Sequence, residues 1–342
     1  MKKVTLQDVA DALNVSRISV WKVFSGRSGV SKELRDKIIS KAIELNYNFP
    51  QNFILPDDLK KTERQYNISV TVSQPETSSF WMTVVHDIAK EFAKYNVNFF
   101  YTYLPSQFDS NYELPAQLSN GSIDGMLIIN VYDKKLIHML SDLKLPKVFI
   151  DSSSEIDFND LNGDLMLTFG RSYIAKITQH IIAQGKTKIG YIGDIMYSRS
   201  NYERYQGYYD AMKANNLPIN NDYCFTKCNE NESYENALIS FTKQLKNIPD
   251  AFICSNDHIA SIVWNELQKR GYRIPSDILI SGYNDLQESV ATKELTTVQV
   301  FSKDLGMRLA HQILYKINNP TARNELVYIS SQILFRNSTN AS

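Results

Sequence analysis

Residues 16–27, Ser-Arg-Ile-Ser-Val-Trp-Lys-Val-Phe-Ser-Gly-Arg, gather the side chains best suited to meet a polyanion. In a helix through Phe24, Val20, Val23 and Phe24 share one face, and Arg17, Ile18, Trp21 and Lys22 project elsewhere. The first 50 residues hold nine Lys or Arg against five Asp or Glu, a surplus of +4 in a chain whose 37 basic and 37 acidic residues cancel. A basic end on a neutral chain is the charge pattern of a nucleic-acid-binding segment. No comparable constellation points to catalysis. His86, His138, His180, His258 and His311 are scattered, and no nucleophile elbow, Walker loop, HExxH or GxGxxG stands at a strand-to-helix turn. Cys224, Cys228 and Cys254 make neither a disulfide framework nor a zinc set, so they are expected to be reduced and structural, with no metal or other cofactor bound.

Three short helices must position that basic face. Thr5 is a good N-cap for a helix carrying Leu6, Val9, Ala10 and Leu13 on one stripe. Asn14-Val15-Ser16 breaks it, Ser16 caps the second helix, and Gly26-Arg27-Ser28-Gly29 ends that one. Ser31 caps a third, with Leu34, Ile38, Ala42 and Leu45 as its apolar row. Two helices joined by a three-residue turn form a helix-turn-helix, whose second helix enters the DNA major groove. The bland alternative is a three-helix bundle with a solvated basic face.

Pro50, Pro56 and the charged run Asp57-Asp58-Leu59-Lys60-Lys61 mark a domain boundary. Beyond it apolar strand-like runs at 68–72, 97–102, 126–130, 147–150, 188–192, 251–254 and 278–281 alternate with helix-like stretches at 81–95, 172–183, 202–215 and 259–270. That alternation predicts an α/β fold of parallel sheets covered by helices, and two sheets suit the length better than one. With 342 residues, 43% apolar and 22% charged, the chain can bury such cores. No run is apolar enough to span a membrane, and the polar N-terminus lacks a signal-peptide core, so a cytoplasmic location is expected.

In order and spacing the sequence resembles the lactose-repressor/galactose-repressor family of bacterial transcription regulators. The headpiece match runs from Val4-Thr5-Leu6-Gln7-Asp8-Val9-Ala10 through Val15-Ser16, Val23-Phe24-Ser25-Gly26 and Val30-Ser31 to Leu45-Asn46-Tyr47. Later pieces include Asp124-Gly125-Met126-Leu127-Ile128, Ile189-Gly190-Tyr191-Ile192-Gly193, Ser255-Asn256-Asp257, Gly282-Tyr283-Asn284-Asp285 and Leu334-Phe335-Arg336-Asn337-Ser338-Thr339. The resemblance implies a homodimeric repressor that reads a pseudo-palindromic double-stranded operator. Its small effector, a sugar or sugar derivative, would bind between two periplasmic-binding-protein-like lobes and control operator affinity. The implied domains are a headpiece at 1–48, a hinge at 49–65, a first lobe at 66–162 with 286–318, and a second lobe at 163–285 with 319–342.

Carried over residue by residue, Arg17, Ile18 and Lys22 fall on base-contacting positions; Arg and Lys pair with guanine O6/N7, and Ile meets a thymine methyl. Thr5, Ser16, Ser25 and Arg27 fall on the phosphate side, with helix capping as the competing role for the first two. Trp21 stands where the family has a small hydroxyl residue, and either packs on the sugar-phosphate edge or caps the headpiece core. Leu55 is the candidate minor-groove wedge of a hinge helix, although Pro56 and the Asp57-Asp58 pair depart from the family's hinge. Arg204, Asn256 and Asn284 fall on effector-contacting positions, where a guanidinium and two amides suit vicinal hydroxyls or a phosphate. Asp257 is expected to brace the loop. Phe80 and Trp81 either stack on a sugar face or join the core. Phe169-Gly170 replaces the family's Asp-Asn pair. The rival functions are an enzyme, opposed by the scattered histidines, and a solute-binding protein of the same lobe fold without DNA control, opposed by the headpiece.

Overall fold

The computed structural model describes residues 4–45, 47–50, 53, 65–73, 79–228, 233–286 and 293–340. Contacts divide the chain into two compact units, Met1–Gln65 with Lys94–Asn96, and the remainder.

The first unit contains α1 (Leu6–Leu13), α2 (Arg17–Phe24) and α3 (Lys32–Glu44). Their starts are local events. The Thr5 hydroxyl accepts the Asp8 N–H, and the Asp8 carboxylate accepts the Thr5 N–H at 2.7 Å, closing a capping box. Ser16 and Ser31 accept the N–H three residues on, at 3.1 and 3.3 Å. Asn14 ends α1 in the left-handed region, φ 52°, which asparagine tolerates. Val9, Ala10, Val20, Val23, Phe24, Ile38, Ile39 and Ala42 form the core. It extends past the expected boundary at residue 48. Phe49 and Phe53 stack on each other at 5.1 Å and meet Phe24 edge-on at 5.2 Å, so both belong to the headpiece. Four rings around Phe24, Tyr47, Phe49 and Phe53 enlarge a core that three short helices alone would leave small.

In the second unit, β1 (Tyr66–Ser73), β2 (Val97–Leu104), β3 (Gly125–Ile129), β4 (Lys147–Ile150), β5 (Asp164–Thr168) and β10 (Leu326–Ile329) build one parallel sheet in the order β10-β5-β4-β3-β1-β2. A second parallel sheet, β6-β7-β8, comprises Ile189–Ile192, Ala251–Cys254 and Leu279–Ser281. An antiparallel pair, β9 (Thr297–Gln299) and β11 (Gln332–Leu334), adjoins it through a Ser281–Thr296 bridge. The helices are α4 (Ser79–Phe92), α5 (Lys134–Asp142), α6 (Gly170–Ala183), α7 (Arg199–Ala214), α8 (Tyr234–Gln244), α9 (Asp257–Lys269) and α10 (Ser302–Asn318). The two-sheet α/β expectation holds.

The expected lobe boundary needs correction. β5 and β10, expected in the second lobe from a break at 163 and a return at 319, pair in the first sheet. The chain therefore changes sheets after β5, between β9 and α10, and again between β10 and β11. A buried ion pair explains the return of β10: Asp164 lies 3.1 Å from the Lys316 ammonium and accepts the Glu325 N–H at 2.9 Å, tying β5, α10 and the start of β10 together. Charges this deeply buried persist only when paired and hydrogen-bonded. α6 and α7 pack closely because Gly207 has no side chain; a Cβ there would lie 2.1 Å from the Arg171 carbonyl oxygen.

Candidate nucleic-acid interface and ligand cleft

Exposure sorts the headpiece residues. Arg17 is exposed, Ile18 is 65% exposed, and Lys22 is half-buried, leaving these side chains on a face the core does not use. Ile18 is thus accessible to another apolar group, although a single exposed isoleucine does not by itself mark a binding site. Trp21, 42% exposed, is absent from the headpiece core, so it does not cap it. The Arg27 guanidinium instead lies 5.0 Å from the Trp21 ring centroid. Thr5 and Ser16 are engaged in caps, and Ser25 caps the end of α2 through its N–H to the Trp21 carbonyl at 2.9 Å. Leu55 lies outside the described residues.

In the second unit, Arg204 sits on α7 and is buried. Its Nη1 donates to the Ser255 carbonyl at 2.7 Å and its guanidinium lies 3.8 Å from the Tyr283 ring centroid. The Nε atom is buried with no hydrogen-bond partner among the described residues. Gly170 makes room for its stem: a Cβ there would lie 3.0 Å from Arg204 Cγ. Asn256 caps α9, accepting the Ile259 N–H at 2.9 Å. Asn284 has φ 108° and lines a hollow of about 320 Å³ with Gln299, Ser302 and Lys303; Arg204 is not among the residues lining it. Asp257 braces the neighbouring loop, accepting the Thr297 hydroxyl and the Leu286 N–H, both at 2.7 Å. Burial pushes its carboxyl up to about 6, against those donors. Phe80 is buried in the core and meets Trp81 edge-on at 5.0 Å; Trp81 is half-buried.

A further polar set joins the lobes at the carboxyl ends of β3 and β4. Asn130 and Asp151 immediately follow these strands with φ 57° and 63°, non-glycine residues in the left-handed region. Asp151 Oδ1 accepts the Ser200 N–H at 3.1 Å, and the Ser152 carbonyl accepts the Arg199 N–H at 2.7 Å, so the first sheet caps the start of α7. The Tyr132 and Tyr197 rings lie 4.7 Å apart across the same seam, and the Tyr197 hydroxyl donates to Asn130 Oδ1 at 3.4 Å. Burial raises the Asp151 carboxyl and holds Tyr197 up at about 12. Sequence reasoning missed this set. Its signal was a polar residue directly after each apolar run, Ile128-Ile129-Asn130 and Phe149-Ile150-Asp151, where open α/β sheets bind ligands. A separate hollow of about 460 Å³ is lined by Arg171 and Glu203 of α6 and α7 and by the stacked rings of Phe169 and Tyr328, 5.1 Å apart. Tyr328 donates to Glu203 at 2.7 Å. The carboxylate, amide and phenols of the Asn130–Asp151 seam are of a kind that can hydrogen-bond a polar, hydroxyl-bearing molecule.

Residues 178–339 match the model of a periplasmic binding protein-like domain. Over 98% of this chain, the sequence is 25% identical to the NTD biosynthesis operon regulator NtdR of Bacillus subtilis (strain 168), covering 99% of that protein. It is 25% identical to the HTH-type transcriptional repressor PurR of Aliivibrio salmonicida (strain LFI1238), again over 98% and 99% of the two chains. A solved transcriptional regulator CelR–cellobiose complex superposes with a TM-score of 0.68 at 18% identity, over 98% of this chain and 100% of that one. The Lac repressor dimer bound to operator and an anti-inducer superposes with a TM-score of 0.66 at 19% identity, over 99% and 100%. Along its whole length the chain is thus similar to transcription regulators that carry a periplasmic binding protein-like domain. Matches over nearly the full length of both chains cover headpiece and lobes alike, so the similarity is not confined to the lobes. The named relatives are regulators, not enzymes, in agreement with the sequence's lack of a catalytic constellation. No helix among the described residues is long and apolar enough to cross a membrane.

Proposed function

We propose that the chain is a DNA-binding transcription regulator, a repressor, that docks as a homodimer on a pseudo-palindromic operator in the cytoplasm. A small polar effector, a sugar or sugar derivative, binds between the two lobes and sets operator affinity. The outer face of α2 carries this reading: Arg17 and Ile18 are exposed and Lys22 half-buried on the second helix of a helix-turn-helix whose core is complete without them. Arg17 and Lys22 read guanine edges, and Ile18 packs on a thymine methyl. Thr5, Ser16, Ser25 and Arg27 lie toward the phosphates, and Leu55 is the hinge residue assigned to the minor groove.

For the effector, Arg204 supplies the strongest support, because a buried Nε with no partner is a costly group that a bound oxygen would satisfy. Asn256, Asn284 and Trp81 complete the proposed contact set, and Phe80, buried in the core, is left out of it. Asp151, with Ser200 and Arg199 across the seam, couples closure of the lobes to whatever occupies it.

Selection from random duplexes tests the operator reading. The expected result is a two-fold consensus with half-sites about one helical turn, or a multiple of it, apart, bound by a dimer. A monomer that selects no consensus would overturn it. A thermal-shift screen over sugars, sugar phosphates and nucleobases tests the effector reading, since a ligand at 100 times its Kd stabilises by about 2.7 kcal/mol.

A further inference from the structure

Trp21 and Arg27 meet although a helix end and a turn separate them. The chain leaves α2 through Ser25 and turns back at Gly26, φ 67°, a conformation that favours glycine. The turn is pinned on both sides of Arg27: its N–H donates to the Lys22 carbonyl at 2.9 Å, and its carbonyl accepts Arg35 Nη2 at 3.0 Å. With the backbone held and the guanidinium 5.0 Å from the indole centroid, the ring gives the Arg27 side chain a favoured resting place.

We propose that Trp21 is a positioning residue for Arg27: the indole holds the guanidinium at the edge of the outward face of α2, where a duplex phosphate would lie, and Arg27 makes that contact in place of residue 21. The inference rests on the DNA-binding reading above. The indole of Trp21 offers a single neutral N–H in place of the hydroxyl of a small polar residue, whereas an arginine resting on the ring presents a forked, permanently charged donor. Such a contact positions the headpiece and reads no bases.

A double-mutant cycle on the full chain tests this, using a duplex retained in the selection. Trp21→Ala is expected to weaken binding about 2- to 5-fold per half-site, the range of an exposed cation–π contact. In the Arg27→Ala background the same substitution is expected to change nothing, and Trp21→Phe should keep part of the effect. Arg27→Ala should also reduce the salt slope of log K by about 0.9 per half-site. Equal losses from Trp21→Ala in both backgrounds would mean that the indole touches DNA itself, and would overturn the proposal. A second readout needs no DNA. In full-length protein labelled with 5-fluorotryptophan, which reports Trp21, Trp81 and Trp264, Arg27→Ala should move the Trp21 resonance alone. If a duplex is retained and that resonance stays put, only this inference falls. If the resonance moves and no duplex is retained, the DNA-binding reading falls and takes the phosphate role with it.

Discussion

Asp257 gives the loop beside Asn284 a pH-dependent stability whose sign can be worked out. Its carboxyl is pushed up to about 6 by burial, against an ordinary value of 3.8 in the unfolded chain. The folded state therefore binds the proton more tightly. Between about pH 4 and 6 the folded chain holds more protons than the unfolded one, so this group's favourable contribution is complete below about pH 4 and is lost as pH rises through 6. The full difference is on the order of 3 kcal/mol, and going from pH 7 to pH 5 recovers about 1.3 kcal/mol of it. For a domain of this size that corresponds to a Tm higher by roughly 3–5 °C. Asp257→Asn removes the titration while keeping one acceptor for the Thr297 hydroxyl or the Leu286 N–H. Calorimetry of wild type and variant at pH 7 and pH 5 isolates the effect, because every other titrating group cancels in the difference. The wild type should gain roughly 3–5 °C relative to the variant on acidification. Parallel pH profiles would refute the reasoning and show that Asp257 is not desolvated in the folded protein.

Three more outcomes follow from the same geometry. Arg17→Ala should relax selectivity at one base pair of each half-site and cost about 1–3 kcal/mol there, measured by competition against single-site operator variants; equal losses on specific and random DNA would misplace the reading face. Arg204→Met deletes the charge-assisted bond to the Ser255 carbonyl together with the unpartnered Nε, two opposing effects of about 1–3 kcal/mol each, so fold stability should change little. Effector affinity measured by calorimetry should nevertheless fall at least about tenfold, and operator titrations should lose their response to ligand. Gly207→Ala forces a Cβ to within 2.1 Å of the Arg171 carbonyl oxygen, so α6 and α7 must separate at a cost of about 1–3 kcal/mol, read as a lower urea midpoint; an unchanged midpoint would show that the helix pair yields freely.

Much of the headpiece was legible because its determinants lie within four residues of one another. Thr5, Ser16 and Ser31 cap their own helices, and Val9, Ala10, Val20, Val23, Ile38 and Ala42 recur at helical spacing, so local pattern and tertiary packing agree. The α/β alternation was legible for the same reason: a buried parallel strand is a short apolar run wherever it later pairs. Pairing itself is not local. That β5 and β10 join the first sheet depends on Asp164 meeting Lys316 and Glu325, more than 150 positions along the chain, and no window of sequence contains that contact. Similarly, the residue types at 256 and 80 fit ligand contacts in the sequence, and only three-dimensional packing spends the Asn256 side-chain oxygen on a helix cap and buries Phe80 in the core. Sequence determined which elements form and which residue types are available, because capping and periodicity are short-range. Tertiary structure decided which polar groups are already satisfied, because a hydrogen bond or a stacked ring depends on neighbours that the chain brings together only when it folds.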